Sequence, residues 1–243
     1  MRAIANLAPN PDGAEPALPS PAWAGRLHHD DCTMTTGAWV FAAIALVAAI
    51  ANWWSVTTNH HPTEVWSKPL TLLALIGVAV TLDPADPAVR VWFVVALVFS
   101  LAGDVLLLDD RRFVFGLAAF LCGHLAYTGG FVVAAEWRWW SAAAALVTLT
   151  PVVATAGRRI VTGARVEDPK LGPPVVAYLA VISAMAVTAA GAGNGWAVVG
   201  AALFVTSDTI LGWRNFVSRR PWMPLAVMVT YHLGQAGLLA SLV

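Results

Sequence analysis

Charge is the scarcest property of this sequence. Asp, Glu, Lys and Arg make up 12% of its 243 residues, against about 25% in soluble domains. Such a chain has too few charged side chains to cover a water-facing surface, and with 58% hydrophobic residues it reads as an integral membrane protein. Net charge is zero, so the basic surface that nucleic-acid binding requires is missing too. Cysteine is nearly absent: Cys32 lies in the leading segment and Cys122 in an apolar run, which gives neither a disulfide framework nor metal-ligand spacing. A GxGD signature is also lacking, because Leu101 stands where the first glycine would precede Gly103 and Asp104. That argues against an intramembrane aspartyl protease.

The first 33 residues have no apolar periodicity and no continuous apolar core of the kind a signal peptide needs. They are rich in Pro, Ala and Gly and are expected to be disordered. Met34, directly before the first hydrophobic run, reads as an alternative start, with the membrane domain expected over residues 34–243.

What the chain does have is long apolar runs. Crossing ~30 Å of hydrocarbon at ~1.5 Å per residue takes roughly 20 residues, and eight runs qualify: Gly37 to Trp54, Trp66 to Leu82, Val89 to Leu108, Phe113 to Ala135, Trp139 to Ala156, Pro174 to Ala190, Trp196 to Trp213 and Trp222 to Val243. The predicted fold is an all-α polytopic membrane bundle, with Pro151 kinking the fifth helix. Tryptophans such as Trp39, Trp54, Trp66, Trp139, Trp196 and Trp222 cluster at the ends of the runs, where amphipathic rings settle at headgroup level. Lys68, Arg111, Arg112, Arg158, Arg159, Arg165, Lys170, Arg214, Arg219 and Arg220 fall in loops after odd-numbered helices. The opposite face has Arg2, Arg26, Arg90 and Arg138. This asymmetry predicts a cell-membrane protein with both termini outside.

Ionisable groups within a span are costly and generally face the bundle interior. Those present are Lys68, Asp104, His124, Asp208 and His232, accompanied by Ser100, Tyr127, Ser207, Tyr231 and Gln235. Ser100 and Asp104 are four apart, as are Tyr231 and Gln235, so each pair shares a helix face. Glycines 103, 116, 123 and 234 would let backbones approach along such faces. "GDVLL" in the third run echoes "SDTIL" in the seventh, and each Asp is followed 23 residues later by a Tyr. A 4+4 parallel repeat would produce this echo and bring the two Asp-bearing helices together.

These segments resemble the YhhN family. The resemblance is carried by "KP" at Lys68, "FSLAGDVLL" around Asp104, "GLAAFLCGHLAY" ending at Tyr127, "GAALFVTSD" ending at Asp208 and "TYHLGQ" ending at Gln235. It departs from the family at His232 and Gly234, where a second Tyr and an Ala are usual. The resemblance implies an eight-helix lysoplasmalogenase-like hydrolase. Such an enzyme cleaves the vinyl-ether bond of lysoplasmalogens to a fatty aldehyde and a glycerophospho-base, and the two family aspartates fall on Asp104 and Asp208.

The chemistry suits those residues. Protonating the β-carbon of a vinyl ether makes an oxocarbenium-like cation, to which water adds, and the hemiacetal collapses to aldehyde and alcohol. Two carboxylates suffice if one is kept protonated, as in glycoside hydrolysis, where ~6.5–9.5 Å separates them when water must fit between. The expected assignment is Asp104 as acid and Asp208 as base or stabiliser, the reverse remaining open. Lys68 would bind the lipid phosphate or hold one Asp ionised, and His124 would relay a proton. The expected partners are a lysophospholipid and the bilayer, with no cofactor and no metal. Two other readings stay open on the residues alone. One is a metal-dependent lipid amidase or esterase with Asp104, Asp208, His124 and His232 as ligands. The other is a proton-coupled transporter or lipid-binding receptor.

Overall fold

The computed structural model describes residues 34–134 and 137–243; the expectations for residues 1–33 lie outside the described residues. The helices are α1 (Thr36–Thr58), α2 (His61–Thr81), α3 (Pro87–Leu106), α4 (Phe113–Ala134), α5 (Trp139–Val152), α6 (Arg158–Glu167), α7 (Gly172–Gly191), α8 (Gly195–Phe216) and α9 (Met223–Ala240). Among the described residues there is no strand, and eight segments are long and apolar enough to cross a membrane. In hydrocarbon every backbone N–H and C=O must be bonded within the protein, which a helix does locally. Polar caps set several helix starts. Thr35 accepts from the Ala38 amide at 3.1 Å, Asp86 from Ala88 at 2.7 Å and Asn194 from Trp196 at 2.8 Å.

The fifth span differs from its expectation in length and in form. It runs 29 residues, from Trp139 to Glu167, because a π-helical turn at Val153–Gly157 joins α5 to α6. Pro151 has no amide hydrogen to give to the preceding turn, and the ladder resumes with a wider ring just beyond it. Arg158, Arg159 and Arg165, expected in a loop, therefore lie on helix α6, which buries Ile160 and Ala164.

Polarity is arranged inside out. Large apolar residues such as Val47, Leu73, Val91 and Val147 face outward, while Asn52, Ser67, Lys68, Ser100, Asp104, His124, Ser207, His232 and Gln235 are buried. Small residues bring the helices close enough to enclose them. A Cβ on Gly234 of α9 would come within 3.0 Å of the Phe204 amide nitrogen on α8, so that seam admits only glycine without a shift of backbone.

The two halves pack alike in part. In the first half α2 packs on α1 and α3, and α3 on α4; in the second, α7 packs on α5, α6 and α8, and α8 on α9. The fourth span of each half also meets the second span of the other, α4 against α7 and α9 against α2. Asp104 on α3 and Asp208 on α8 thus occupy corresponding helices of two four-span halves.

Candidate active site

Asp104 sits two residues before the end of α3 with its side chain 1% exposed. A carboxylate this deep requires compensation, and two helices supply it. The Lys68 ammonium of α2 lies 3.2 Å from Oδ1, and the Tyr231 hydroxyl of α9 donates to Oδ2 at 3.0 Å. Both oxygens of Asp104 therefore face donors.

Asp208 on α8 has a different surrounding. Its Oδ2 accepts from the Tyr178 hydroxyl of α7 at 2.5 Å and lies 3.1 Å from His124 Nε2 of α4, which is itself 3.0 Å from the Tyr178 oxygen. The three groups share a single oxygen corner, and no other described residue bonds Asp208. Its side chain is 12% exposed. His124 is fully enclosed, and its Nδ1 has no partner among the described residues. Donation of Nε2–H to Asp208 leaves that nitrogen as a lone-pair acceptor.

Aromatic rings join the two carboxylate clusters. Phe204 lies edge-on to His124, with centroids 4.7 Å apart, and edge-on to Tyr231 at 5.3 Å. Phe120 packs on the Tyr231 ring at 5.7 Å and occupies the place a Cβ on Gly103 would need, 2.6 Å away. Gly103 thereby lets Phe120 hold Tyr231 against the neighbouring Asp104.

Other residues singled out in the sequence take supporting places. Tyr127 donates to Gln235 Oε1 at 2.5 Å, linking α4 to α9. His232 Nδ1 accepts from the Trp53 indole at 3.0 Å, so the neutral ring carries its proton on Nε2, which is buried without a partner among the described residues. Ser207 bonds the Val227 carbonyl at 3.0 Å and fastens α8 to α9 rather than entering the polar cluster. Ser100 is buried against Gly123 and does not bond Asp104. Sequence reasoning missed Tyr178 and Trp53. A signal for Tyr178 was present: the chain has three tyrosines, and all three are buried with their hydroxyls in hydrogen bonds to polar side chains.

Two cavities reach the clusters. One of about 500 Å³ opens at the end of the bundle where the α1–α2, α3–α4, α6–α7 and α8–α9 connections gather, and Lys68 forms part of its wall. The other, about 40 Å³ and mostly apolar, is walled by α4, α6, α7 and α8 and reaches Tyr178 and Asp208. Phe113, Leu211, Asn215 and Phe216 line both. The four side chains a metal reading would enlist are divided, since His124 meets Asp208 while Asp104 meets Lys68 and His232 meets Trp53. Among the described residues no three His, Cys, Asp or Glu converge.

Residues 63–242 match the YhhN family. A lysoplasmalogenase of Mycobacterium bovis is 32% identical over 168 residues, covering 67% of this chain and 64% of that protein. The human lysoplasmalogenase TMEM86B is 30% identical over 170 residues, covering 69% of this chain and 70% of its own. The chain thus spans slightly less than two thirds of the length of the mycobacterial relatives it matches. No solved structure matches it.

Proposed function

The chain belongs to the YhhN family, and from that premise we propose that it hydrolyses the vinyl-ether bond of lysoplasmalogens within the membrane, releasing a fatty aldehyde and a glycerophospho-base. The names of the curated relatives support the substrate class, and favour an enzyme over a transporter. The observation that carries the mechanism is the difference between the two carboxylates. Asp208 borders an apolar cavity, is 12% exposed and has an oxygen, Oδ1, without a partner among the described residues, whereas Asp104 is 1% exposed and is held between the Lys68 ammonium and the Tyr231 hydroxyl.

On this reading the sequence-based assignment of roles is reversed. Protonated Asp208 delivers its proton to the β-carbon of the vinyl ether, and Tyr178 and His124 fix the carboxyl group in place. The oxocarbenium ion that forms lies beside the Asp208 carboxylate that the proton transfer has just left ionised, which offsets its development. Water adds to the α-carbon and gives up a proton to the now ionised Asp208. Collapse of the hemiacetal breaks the carbon–oxygen bond to glycerol: the glycerol oxygen takes that proton from Asp208, and the hemiacetal hydroxyl returns its own to Asp208 as the aldehyde forms, restoring the acid. Asp104 is a positioning residue in this scheme. It keeps the Lys68 ammonium at the floor of the larger cavity, where the substrate's phosphate would sit. The arginine-bearing connections that gather around that cavity are read as the cytoplasmic end.

The test is product analysis by mass spectrometry. Chelator-treated, detergent-purified protein is given a lysoplasmalogen and its ester analogue. Aldehyde from the vinyl ether alone, lost in Asp208→Asn, is the expected result. Absence of aldehyde with folded wild-type protein would sink the proposal.

A further inference from the structure

The larger cavity holds more charge than the chemistry needs. Lys68 at its floor is already matched by Asp104 at 3.2 Å. Four other charged side chains line the same space: Arg214 at the end of α8, Arg219 in the α8–α9 connection, Glu64 in the first turn of α2 and Glu167 at the end of α6. The half-buried Arg214 side chain has no ion pair or hydrogen bond to any described residue, and neither do the exposed side chains of Arg219 and Glu167. Glu64 has one contact, 3.8 Å to the exposed His61 three residues earlier. A partly desolvated guanidinium is costly to leave without an acceptor, and its planar fork suits phosphate oxygens. The two arginines and two glutamates sum to zero, which complements a ligand carrying both signs rather than an anion alone.

We propose that this cavity is a headgroup site, in which Arg214 and Arg219 hold the phosphate and Glu64 and Glu167 hold the ammonium group of a zwitterionic glycerophospholipid. The assignment rests on the reading of the protein as a lysolipid hydrolase. It adds to that reading the residues that select the headgroup. Asn59 and Asn215 line the same cavity and offer neutral hydrogen-bonding groups for the glycerol hydroxyl. Phe113 and Phe216, edge-on at 5.9 Å, stand in the wall shared with the apolar cavity at Asp208. They form the boundary between the polar headgroup and the chain.

The experiment separates this site from the reaction. Binding of glycerophosphoethanolamine, which has no scissile bond, is measured calorimetrically on full-length protein in detergent, with inorganic phosphate as a second probe. Hydrolysis is followed in parallel with an alkenyl lysolipid bearing ethanolamine and one ending in bare phosphate. Arg214→Gln is expected to weaken fragment binding and lower kcat/KM on both lipids by about tenfold or more, with Arg214→Lys recovering part of the loss. The double variant Glu64→Gln with Glu167→Gln is expected to reduce the preference for the ethanolamine lipid over the phosphate lipid by about tenfold. Unchanged fragment binding in Arg214→Gln, or an unchanged preference in the double variant, overturns the site while leaving the hydrolase reading intact. Inorganic phosphate binding as tightly as the fragment also overturns it, reducing the cavity to a simple anion site. Arg214-dependent fragment binding without cleavage of either lipid supports the headgroup site and instead removes the hydrolase reading.

Discussion

The Tyr231 hydroxyl on α9 donates to Asp104 on α3 at 3.0 Å across 127 residues of sequence. This bond has a counterpart: His124 on α4 reaches Asp208 on α8 at 3.1 Å. Each carboxylate is met by the fourth span of the opposite half and by the second span of its own, Lys68 of α2 for Asp104 and Tyr178 of α7 for Asp208. The two carboxylates thus share a plan of contacts but not a chemistry. One site has an ammonium and a phenol, the other a phenol and an imidazole.

Breaking one partner of the buried pair differs from removing both. Asp104→Asn leaves the Lys68 ammonium buried without its counter-ion and is expected to cost about 3–5 kcal/mol of stability. The double variant Lys68→Met with Asp104→Leu should recover most of that loss, since it leaves no charge behind. Denaturation in mixed micelles measures both, and equal destabilisation in the two variants would rule out the pair as the cause.

Tyr178→Phe keeps the ring and deletes the hydroxyl that fixes Asp208. Its expected effect is a fall in kcat of roughly ten- to a hundredfold, with little change in thermal midpoint, because a positioning bond to the reacting group is lost. Since Tyr178 and His124 share one oxygen of Asp208, combining Tyr178→Phe with His124→Ala should be non-additive by about 0.5–3 kcal/mol in transition-state free energy. Strict additivity would mean that the two act separately.

Asp208→Asn is expected to lower kcat by a factor of about 10²–10⁴, the usual size of a general acid's contribution. Its fold should persist, because the amide still accepts from Tyr178. A purified variant with near wild-type turnover would return the acid role to Asp104.

Gly234→Val places side-chain atoms where α9 touches the α8 backbone at Phe204, and is expected to destabilise the bundle by about 1–3 kcal/mol. Because Phe204 lies against both His124 and Tyr231, activity should fall further than stability alone explains. Thermal unfolding and kcat measured on the same sample would show whether the two losses separate.

Orientation is accessible to labelling. With Cys32 and Cys122 replaced, single cysteines at Arg111 and Arg219 should react with a membrane-impermeant maleimide only after the membrane is opened, and one at Arg138 should react in intact cells. The opposite pattern would invert the topology.

The sequence alone determined the spans. Whether a segment crosses hydrocarbon depends on its own length and apolarity, and the helix it must form is bonded within itself, so each of the eight could be read without its neighbours. The polar residues likewise announced that they face inward, because lipid would not take Lys68, Asp104 or His124. Only the tertiary structure decided which partner each received. It continued the fifth span through a π turn to Glu167, sent the Ser207 hydroxyl to a backbone carbonyl and brought the unremarked Tyr178 to Asp208. It also set the two aspartates apart in exposure and in partners. Those outcomes depend on where four or more helices meet, and side chains separated by many tens of residues become neighbours only when the helices that carry them pack.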